Sequence, residues 1–134
     1  MANEKHFSVL IVDDSIIMRH TLREMLSSFE EFEVTGEAGT TTEALSAIEN
    51  SAYDIITLDI AMPGENGIKI IPALKAKLPE AKIVMVSSMT QKRMVFEALS
   101  KGADRYIMKP VTRETIRKSM ESLLKVNLNN KLNP

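Results

Sequence analysis

Five residues that could carry out phosphoryl transfer follow directly after short apolar runs of this chain. Three are carboxylates, one is a hydroxyl and one is an amine: Asp13, Asp14, Asp59, Ser87 and Lys109. A carboxylate can attack phosphorus and hold the phosphoryl group as an acyl phosphate. Three carboxylates in one place repel one another unless a cation lies among them, and oxygen ligands that leave positions for water and phosphate suit Mg²⁺. The residue types therefore predict a metal-assisted phosphoryl-transfer site.

The elements that must position these residues are strands of a parallel sheet. Longer segments of helical periodicity separate the apolar runs, a pattern typical of a parallel sheet covered on both faces. Because ligands bind beyond the carboxyl ends of such strands, we expect the five side chains to meet in one pocket. The runs are Val9–Val12, Ile55–Leu58, Ile83–Val86 and Tyr106–Met108.

The remaining segments supply one edge strand and five helices. Residues 32–38 alternate between apolar and polar side chains, which predicts a strand at the edge of the sheet. The first helix begins near Ser15, whose hydroxyl can cap it. The others are predicted over residues 39–50, 68–78, 91–101 and 112–125. Pro72 predicts a late start or a kink in the third helix, and Gly102 ends the fourth.

Length, charge and cysteine content exclude several protein classes. The 134 residues fit one domain. A formal net charge of −1 gives no general electrostatic case for binding nucleic acid or an anionic membrane. The absence of cysteine excludes disulfides and thiolate metal sites, and it fits a cytoplasmic location. We expect neither a signal peptide nor membrane insertion, because the first apolar run meets two aspartates after a few residues.

The order of the motifs resembles the signature of response-regulator receiver domains. The motifs are Asp13-Asp14, Asp59 followed by Met62-Pro63 and Gly67, then Ser87, and finally Lys109-Pro110. The likeness is greatest to stand-alone chemotaxis regulators of the CheY type. It implies an α/β, flavodoxin-like fold with a doubly wound, five-stranded parallel sheet in the order 2-1-3-4-5 and five helices. The domain is expected over residues 7–126, after a short polar lead over 1–6 and before a frayed, asparagine-rich tail over 127–134.

The resemblance also implies the roles of the site residues. Asp59 is the phosphoacceptor, and Asp14, Asp59 and the carbonyl of Ala61 bind Mg²⁺ directly, while Asp13 acts through water. Lys109 contacts the phosphoryl oxygens and precedes a cis peptide bond to Pro110. Ser87 donates a hydrogen bond to the same oxygens and, together with Tyr106, shifts inward as the switch.

The implied function is that of a signalling protein rather than an enzyme. A histidine kinase of a two-component, chemotaxis-type phosphorelay donates phosphate to Asp59, and a downstream protein target binds the altered surface of the fourth helix, fifth strand and fifth helix. That surface includes Lys92, Arg93, Phe96 and Arg105.

The lifetime of the phosphorylated state depends on two further positions. Ala61 and Met89 flank the approach of the hydrolytic water, and neither can orient it. We therefore expect slow self-dephosphorylation and reliance on a separate phosphatase or on return of phosphate to the kinase.

Other interpretations of the same residues remain open. Residues 57–59 and 84–90 also resemble the receiver of the chemotaxis methylesterase, so the chain could be a receiver detached from a larger protein. An aspartate-dependent phosphatase would carry a second aspartate where Ala61 stands. A flavin protein would carry a hydroxyl-rich loop in place of Asp13-Asp14. Ser88 competes with Ser87 for the hydroxyl role.

Overall fold

The chain forms one parallel sheet with helices on both faces. The computed structural model describes residues 6–131. The five strands are β1 (Phe7–Val12), β2 (Phe32–Ala38), β3 (Ile55–Leu58), β4 (Lys82–Ser87) and β5 (Arg105–Met108), in the order β2-β1-β3-β4-β5. Every neighbouring pair is parallel. The predicted flavodoxin-like fold and strand order are confirmed, and the alternating strand β2 lies at an edge.

Four α-helices connect the strands, and a fifth follows β5. They are α1 (Ile16–Ser27), α2 (Thr41–Asn50), α3 (Ile71–Lys77), α4 (Lys92–Lys101) and α5 (Arg113–Leu124). Ser15 caps α1, since its side chain accepts a hydrogen bond from the Met18 N–H. Gly102 ends α4 with φ +123°, a backbone angle that L side chains rarely adopt.

The third helix starts late, as Pro72 predicted. Residues Gly67–Ile70 form a 3-10 turn, and the α-helix begins only at Ile71. Pro72 is then in the first turn of the α-helix, where its missing N–H costs no intrahelical hydrogen bond. The proline therefore sets where the α-helix begins.

Two apolar clusters hold the helices onto the sheet. On one face, Ile56 and Leu58 of β3 pack with side chains of α2, α3 and α4. On the other face, Ile11 of β1 and Val84 of β4 pack with side chains of α1 and α5. β1 and β3 contribute to both clusters, which explains why their residues are apolar except for Ser8 and Thr57. No helix within residues 6–131 is long and apolar enough to cross a membrane.

The expectation of a frayed tail is wrong for residues 127–131. Leu128 is buried in the cluster between α1 and α5, and Asn130 forms an isolated antiparallel bridge with Phe29. The backbone N–H of Lys131 donates to the carbonyl of Ser28 at 2.9 Å. The tail thus packs against the end of α1, and residues 132–134 lie outside the described residues.

Candidate functional site

The carboxyl ends of β1 and β3 bring two aspartates together. Val12 is in register with Leu58, so the next residues, Asp13 and Asp59, leave neighbouring strands at the same level. The Asp59 N–H donates to the carbonyl of Val12 at 3.0 Å, and the Asp13 N–H donates to the carbonyl of Ala38 at 3.0 Å. Backbone pairing therefore places both carboxylates beyond the same edge of the sheet.

Asp14 completes a cluster of three carboxylates. One oxygen each from Asp13, Asp14 and Asp59 can be chosen so that all three lie within 4.8 Å of one another. The side chains of Asp13 and Asp59 are buried, whereas Asp14 is exposed. The cluster therefore has two oxygen groups at its base and one at its open side.

Lys109 reaches this cluster from the end of β5. Its Nζ lies 2.9 Å from Asp13 Oδ2 and 3.3 Å from Asp59 Oδ2. Its backbone N–H donates to the carbonyl of Ser87 at 2.9 Å, which ties the ends of β4 and β5 together. The peptide bond to Pro110 is cis, as the resemblance implied.

Burial and neighbouring charges together shift the pKa values of Asp59 and Lys109. Burial raises the pKa of Asp59; the Lys109 charge opposes the shift, the Asp13 charge adds to it, and the net direction is upward. Burial acts to lower the pKa of Lys109, but the hydrogen bond to Asp13 and the charges of both aspartates outweigh it, so that pKa is raised. Lys109 is therefore a cation at neutral pH, and Asp59 is a more basic carboxylate than an exposed one.

Ser87 and Tyr106 both bind the backbone of Met89. The Ser87 hydroxyl oxygen accepts from the Met89 N–H at 3.1 Å, and the Tyr106 hydroxyl donates to the Met89 carbonyl at 2.7 Å. Ser87 is fully buried whereas its rival Ser88 is exposed. Among the described residues the Ser87 hydroxyl has no acceptor for its proton, so it can still donate to a group at the site.

A short hairpin after β3 carries Ala61. Residues Ala61–Met62 pair with Glu65–Asn66 in an antiparallel arrangement, and the Gly67 N–H closes the loop on the carbonyl of Ile60 at 2.8 Å. Ala61 is exposed and stands two positions beyond Asp59. Ala61, the predicted carbonyl ligand, therefore belongs to a strand with backbone pairing and not to an irregular loop.

The residues present fit a divalent cation with oxygen ligands. One ammonium group faces three clustered carboxylates, which leaves negative charge that a cation would neutralise. The cluster contains no thiolate or imidazole, so it suits a hard ion such as Mg²⁺. Asp13, Asp14 and Asp59 could hold that ion, and the resemblance implies the carbonyl of Ala61, two residues beyond Asp59, as a further ligand.

Sequence reasoning missed two residues that support the site. Arg19 of α1 donates from Nη1 to the carbonyl of Asp13 at 2.6 Å. Glu65 of the hairpin accepts from the Thr41 N–H at the start of α2, at 2.6 Å. The four-residue spacing of Arg19 and Arg23 places both on one face of α1, but nothing in the sequence marks the contact of Arg19 with Asp13 or that of Glu65 with Thr41.

Comparison with known proteins agrees with this geometry. A model of the response regulator receiver domain matches residues 9–121, which include every clustered group. The chain belongs to that family. Receiver domains take part in two-component signalling and typically bind Mg²⁺ at an acidic pocket.

The relatives of this receiver domain include chemotaxis proteins. It is 37% identical over 117 residues to the chemotaxis protein CheY of Listeria monocytogenes, covering 87% of this chain and 98% of that protein. It is 34% identical over 117 residues to a protein-glutamate methylesterase/protein-glutamine glutaminase of a Nocardioides species, covering 86% of this chain but only 32% of that protein. The receiver domain is therefore similar to a whole chemotaxis regulator and to about a third of a larger enzyme.

A solved structure of a CheY shares the fold. The CheX–CheY–BeF₃–Mg²⁺ complex from Borrelia burgdorferi superposes with a TM-score of 0.82 at 32% sequence identity, covering 88% of this chain and 89% of that one. The receiver domain is thus CheY-like in sequence and in structure.

Proposed function

We propose that this receiver domain is a single-domain response regulator of a chemotaxis-type phosphorelay, with Asp59 as the phosphoacceptor. The observation that carries the proposal is the meeting of three carboxylates within 4.8 Å with the Lys109 ammonium group, at 3.3 Å from Asp59. A cluster of this kind supplies a nucleophile, a place for a cation and a fixed positive charge. A histidine kinase is the proposed phosphodonor.

The transfer step follows from these groups. A carboxylate oxygen of Asp59 bonds to phosphorus as the phosphorus–nitrogen bond of a phosphohistidine breaks, and the leaving imidazole takes a proton from water. Mg²⁺ held by Asp14, Asp59 and the carbonyl of Ala61, with Asp13 acting through water, would neutralise charge on the phosphoryl oxygens. Lys109 stands beside Asp59 to bind one of these oxygens.

Ser87 and Tyr106 are proposed to pass the change on to the surface. The Ser87 proton can be donated to a phosphoryl oxygen on Asp59, which draws Ser87 toward the site. The Ser87 hydroxyl also accepts from the Met89 N–H, and the Tyr106 hydroxyl donates to the Met89 carbonyl. A movement of Ser87 therefore shifts the backbone of Met89, which is the hydrogen-bond partner of Tyr106. A local change of hydrogen bonding thus biases the position of Tyr106.

The output surface is proposed to be the face formed by α4, β5 and α5. Phe96 on α4 is 74% exposed, an unusual state for a large apolar side chain. Lys92 and Arg93 are exposed on the same helix, and Arg105 is half-buried on β5. This combination of an aromatic anchor and cations suits a protein target with a complementary acidic rim.

The phosphorylation test is an intact-mass measurement. The protein is incubated with acetyl phosphate and Mg²⁺, with or without EDTA, beside Asp59→Asn and the control Asp54→Asn. We expect a gain of one phosphoryl group in the wild type and in Asp54→Asn, and none in Asp59→Asn or with EDTA. Equal gain in Asp59→Asn would contradict the assignment of the phosphoacceptor.

A methylesterase receiver is the second candidate, because the similarity to that enzyme spans 117 residues. In that case the switch would control an attached effector rather than a separate partner. An immunoblot of the native protein distinguishes the two: a band near 15.0 kDa supports the single-domain regulator, and a much larger band supports the methylesterase type.

A further inference from the structure

The three clustered carboxylates are not held equally. Asp13 accepts from the Ser15 N–H at 2.9 Å and from Lys109 Nζ at 2.9 Å, and Asp59 accepts from the same Nζ at 3.3 Å. The Asp14 side chain is exposed and makes no hydrogen bond or ion pair with any residue over the range 6–131. Its direction therefore depends on the backbone that carries it.

The Arg19 side chain of α1 holds the peptide group on the N-terminal side of Asp14. Arg19 Nη1 donates to the carbonyl of Asp13 at 2.6 Å, and this carbonyl belongs to the peptide group that joins Asp13 to Asp14. Because a peptide group is planar, fixing its oxygen also fixes the direction in which the chain enters Asp14. The contact between a charged donor and a carbonyl is among the stronger hydrogen bonds.

Arg19 is itself held in place from the other side. Its Nε donates to Glu37 Oε1 at 3.0 Å, and the second oxygen of Glu37 accepts from Arg23 Nε at 2.6 Å. The Arg19 side chain is only 18% exposed. The hydrogen bonds from Arg23 and Arg19 lower the pKa of Glu37 despite its partial burial. Glu37 is therefore ionised at neutral pH and forms ion pairs with both arginines.

Gly39 leaves the space that this arrangement requires. A Cβ atom placed on Gly39 would lie 3.0 Å from Arg19 Nη1, closer than ordinary van der Waals contact. The end of β2 therefore accommodates the guanidinium group between Glu37 and the carbonyl of Asp13.

We propose that Arg19 is a positioning residue of the metal site, which aims Asp14 at the cation by holding the Asp13–Asp14 peptide. This inference rests on the proposed function, since it assigns Asp14 to Mg²⁺. A positioning role and a simple charge effect predict opposite changes in Mg²⁺ affinity when Arg19 is replaced. A positive charge near the site disfavours a dication, so removing it should tighten Mg²⁺ binding, whereas loss of positioning should weaken it.

The test compares Arg19→Gln with Arg23→Gln by calorimetric titration of the unphosphorylated proteins with Mg²⁺. Arg23 shares Glu37 and carries the same charge, but it does not contact Asp13. We expect Arg19→Gln to weaken Mg²⁺ binding about tenfold, the lower end for residues that orient metal ligands. Arg23→Gln should leave the affinity unchanged or slightly increase it.

Arg19→Lys and Gly39→Ala complete the design. A lysine can bind either the Asp13 carbonyl or Glu37 but not both in fork geometry, so an intermediate affinity is expected. Gly39→Ala keeps the charge of Arg19 but forces its guanidinium group to shift by a few tenths of an ångström, so a smaller loss of Mg²⁺ affinity is expected. If Arg19→Gln does not fold, the Mg²⁺ affinity of Gly39→Ala tests the positioning role instead. Unfolding temperatures in EDTA show whether each variant is folded.

The outcomes are separable from those of the proposed function. Equal or tighter Mg²⁺ binding in Arg19→Gln, or the same loss in Arg23→Gln, would overturn the positioning role, as would a wild type that binds no Mg²⁺. If the wild type binds Mg²⁺ and loses affinity in Arg19→Gln but takes up no phosphate on Asp59, the positioning role stands and the phosphorelay function fails.

Discussion

Asp59 combines a chemical role with a cost to folding. Its carboxylate is buried near that of Asp13, and the net effect is a raised pKa. The folded state therefore binds the Asp59 proton more tightly than the unfolded state does. It follows that stability falls as pH rises from the unfolded pKa, about 3.9, through the folded pKa, and is constant above that. A group that is useful for phosphorylation thus destabilises the metal-free protein at neutral pH.

The Asp59→Asn variant tests this cost. In EDTA at pH 7 we expect the variant to be more stable than the wild type by on the order of 1 kcal/mol. The gain should shrink toward zero below the unfolded pKa, and it should disappear when Mg²⁺ stabilises the wild type. Thermal unfolding from pH 3 to 8 measures it, with exposed Glu80→Gln as the control. A gain that does not vary with pH would point to packing instead of charge.

Ala61 and Met89 are expected to set the lifetime of the phosphorylated state. Ala61 is exposed and Met89 is half-buried, and neither has a polar group that could hold a water in line with phosphorus. In the double variant Ala61→Asn/Met89→Glu we expect decay of the phosphorylated protein to be about tenfold faster or more, because an oriented water reacts more readily. Decay of the mass-shifted species over time measures the rate. Leu99→Glu adds the same charge on α4, and equal decay in all three proteins would mean that water access is controlled elsewhere.

The residues that end the strands could be predicted because backbone rules determine their positions. Once the apolar runs are identified as parallel strands, Asp13, Asp59 and Lys109 must lie at one edge. Arg19 and Glu65 could not be predicted in this way, because each reaches the site region through a long side chain whose path depends on tertiary packing. Strand ends are encoded locally, whereas the contacts that support them are not.

At the scale of elements, the hairpin after β3 depends on a close approach at Gly67. A Cβ atom on Gly67 would lie 2.1 Å from the carbonyl oxygen of Asp59, a distance that only a backbone shift could relieve. The sequence gave no sign that this segment pairs with itself. Because Gly67 has no side chain, the turn into α3 can pack directly against the backbone of Asp59.

Gly67→Ala should therefore damage the site more than a comparable change elsewhere in the hairpin. We expect phosphorylation to slow about 100-fold, since a shift of about 1 Å at reacting groups has that effect. Gly64→Ala is the matched control: its Cβ would meet nothing within 4 Å, and only its φ of +69° is unfavourable, at a cost of about 1 kcal/mol. Initial rates of phosphate uptake from acetyl phosphate compare the two. Similar rates in both variants would show that the hairpin tolerates displacement.

At the scale of the whole molecule, the tail joins elements that are distant in sequence. Lys125, with φ +57°, ends α5 and turns the chain back. The N–H of Leu128 donates to Glu121 on α5 at 2.8 Å, and the N–H of Asn129 donates to Glu31 before β2 at 3.0 Å. Asparagine-rich composition indicated fraying, and it misled because the docking depends on one apolar side chain and on partners elsewhere in the fold. A helix of the proposed output surface is thereby attached to the opposite edge of the sheet.

Leu128 is the residue on which this attachment depends most. It is 4% exposed in the cluster between α1 and α5, so Leu128→Ala should lower the free energy of unfolding by about 2 kcal/mol, the lower end for buried leucines because the tail can undock instead of leaving a cavity. Leu99→Ala, at a half-exposed position of α4, should cost far less. Urea unfolding measures both, beside a variant that ends at residue 126. Because undocking limits the loss, Leu128→Ala should approach but not exceed the effect of the truncation. A frayed tail would instead give no change in either.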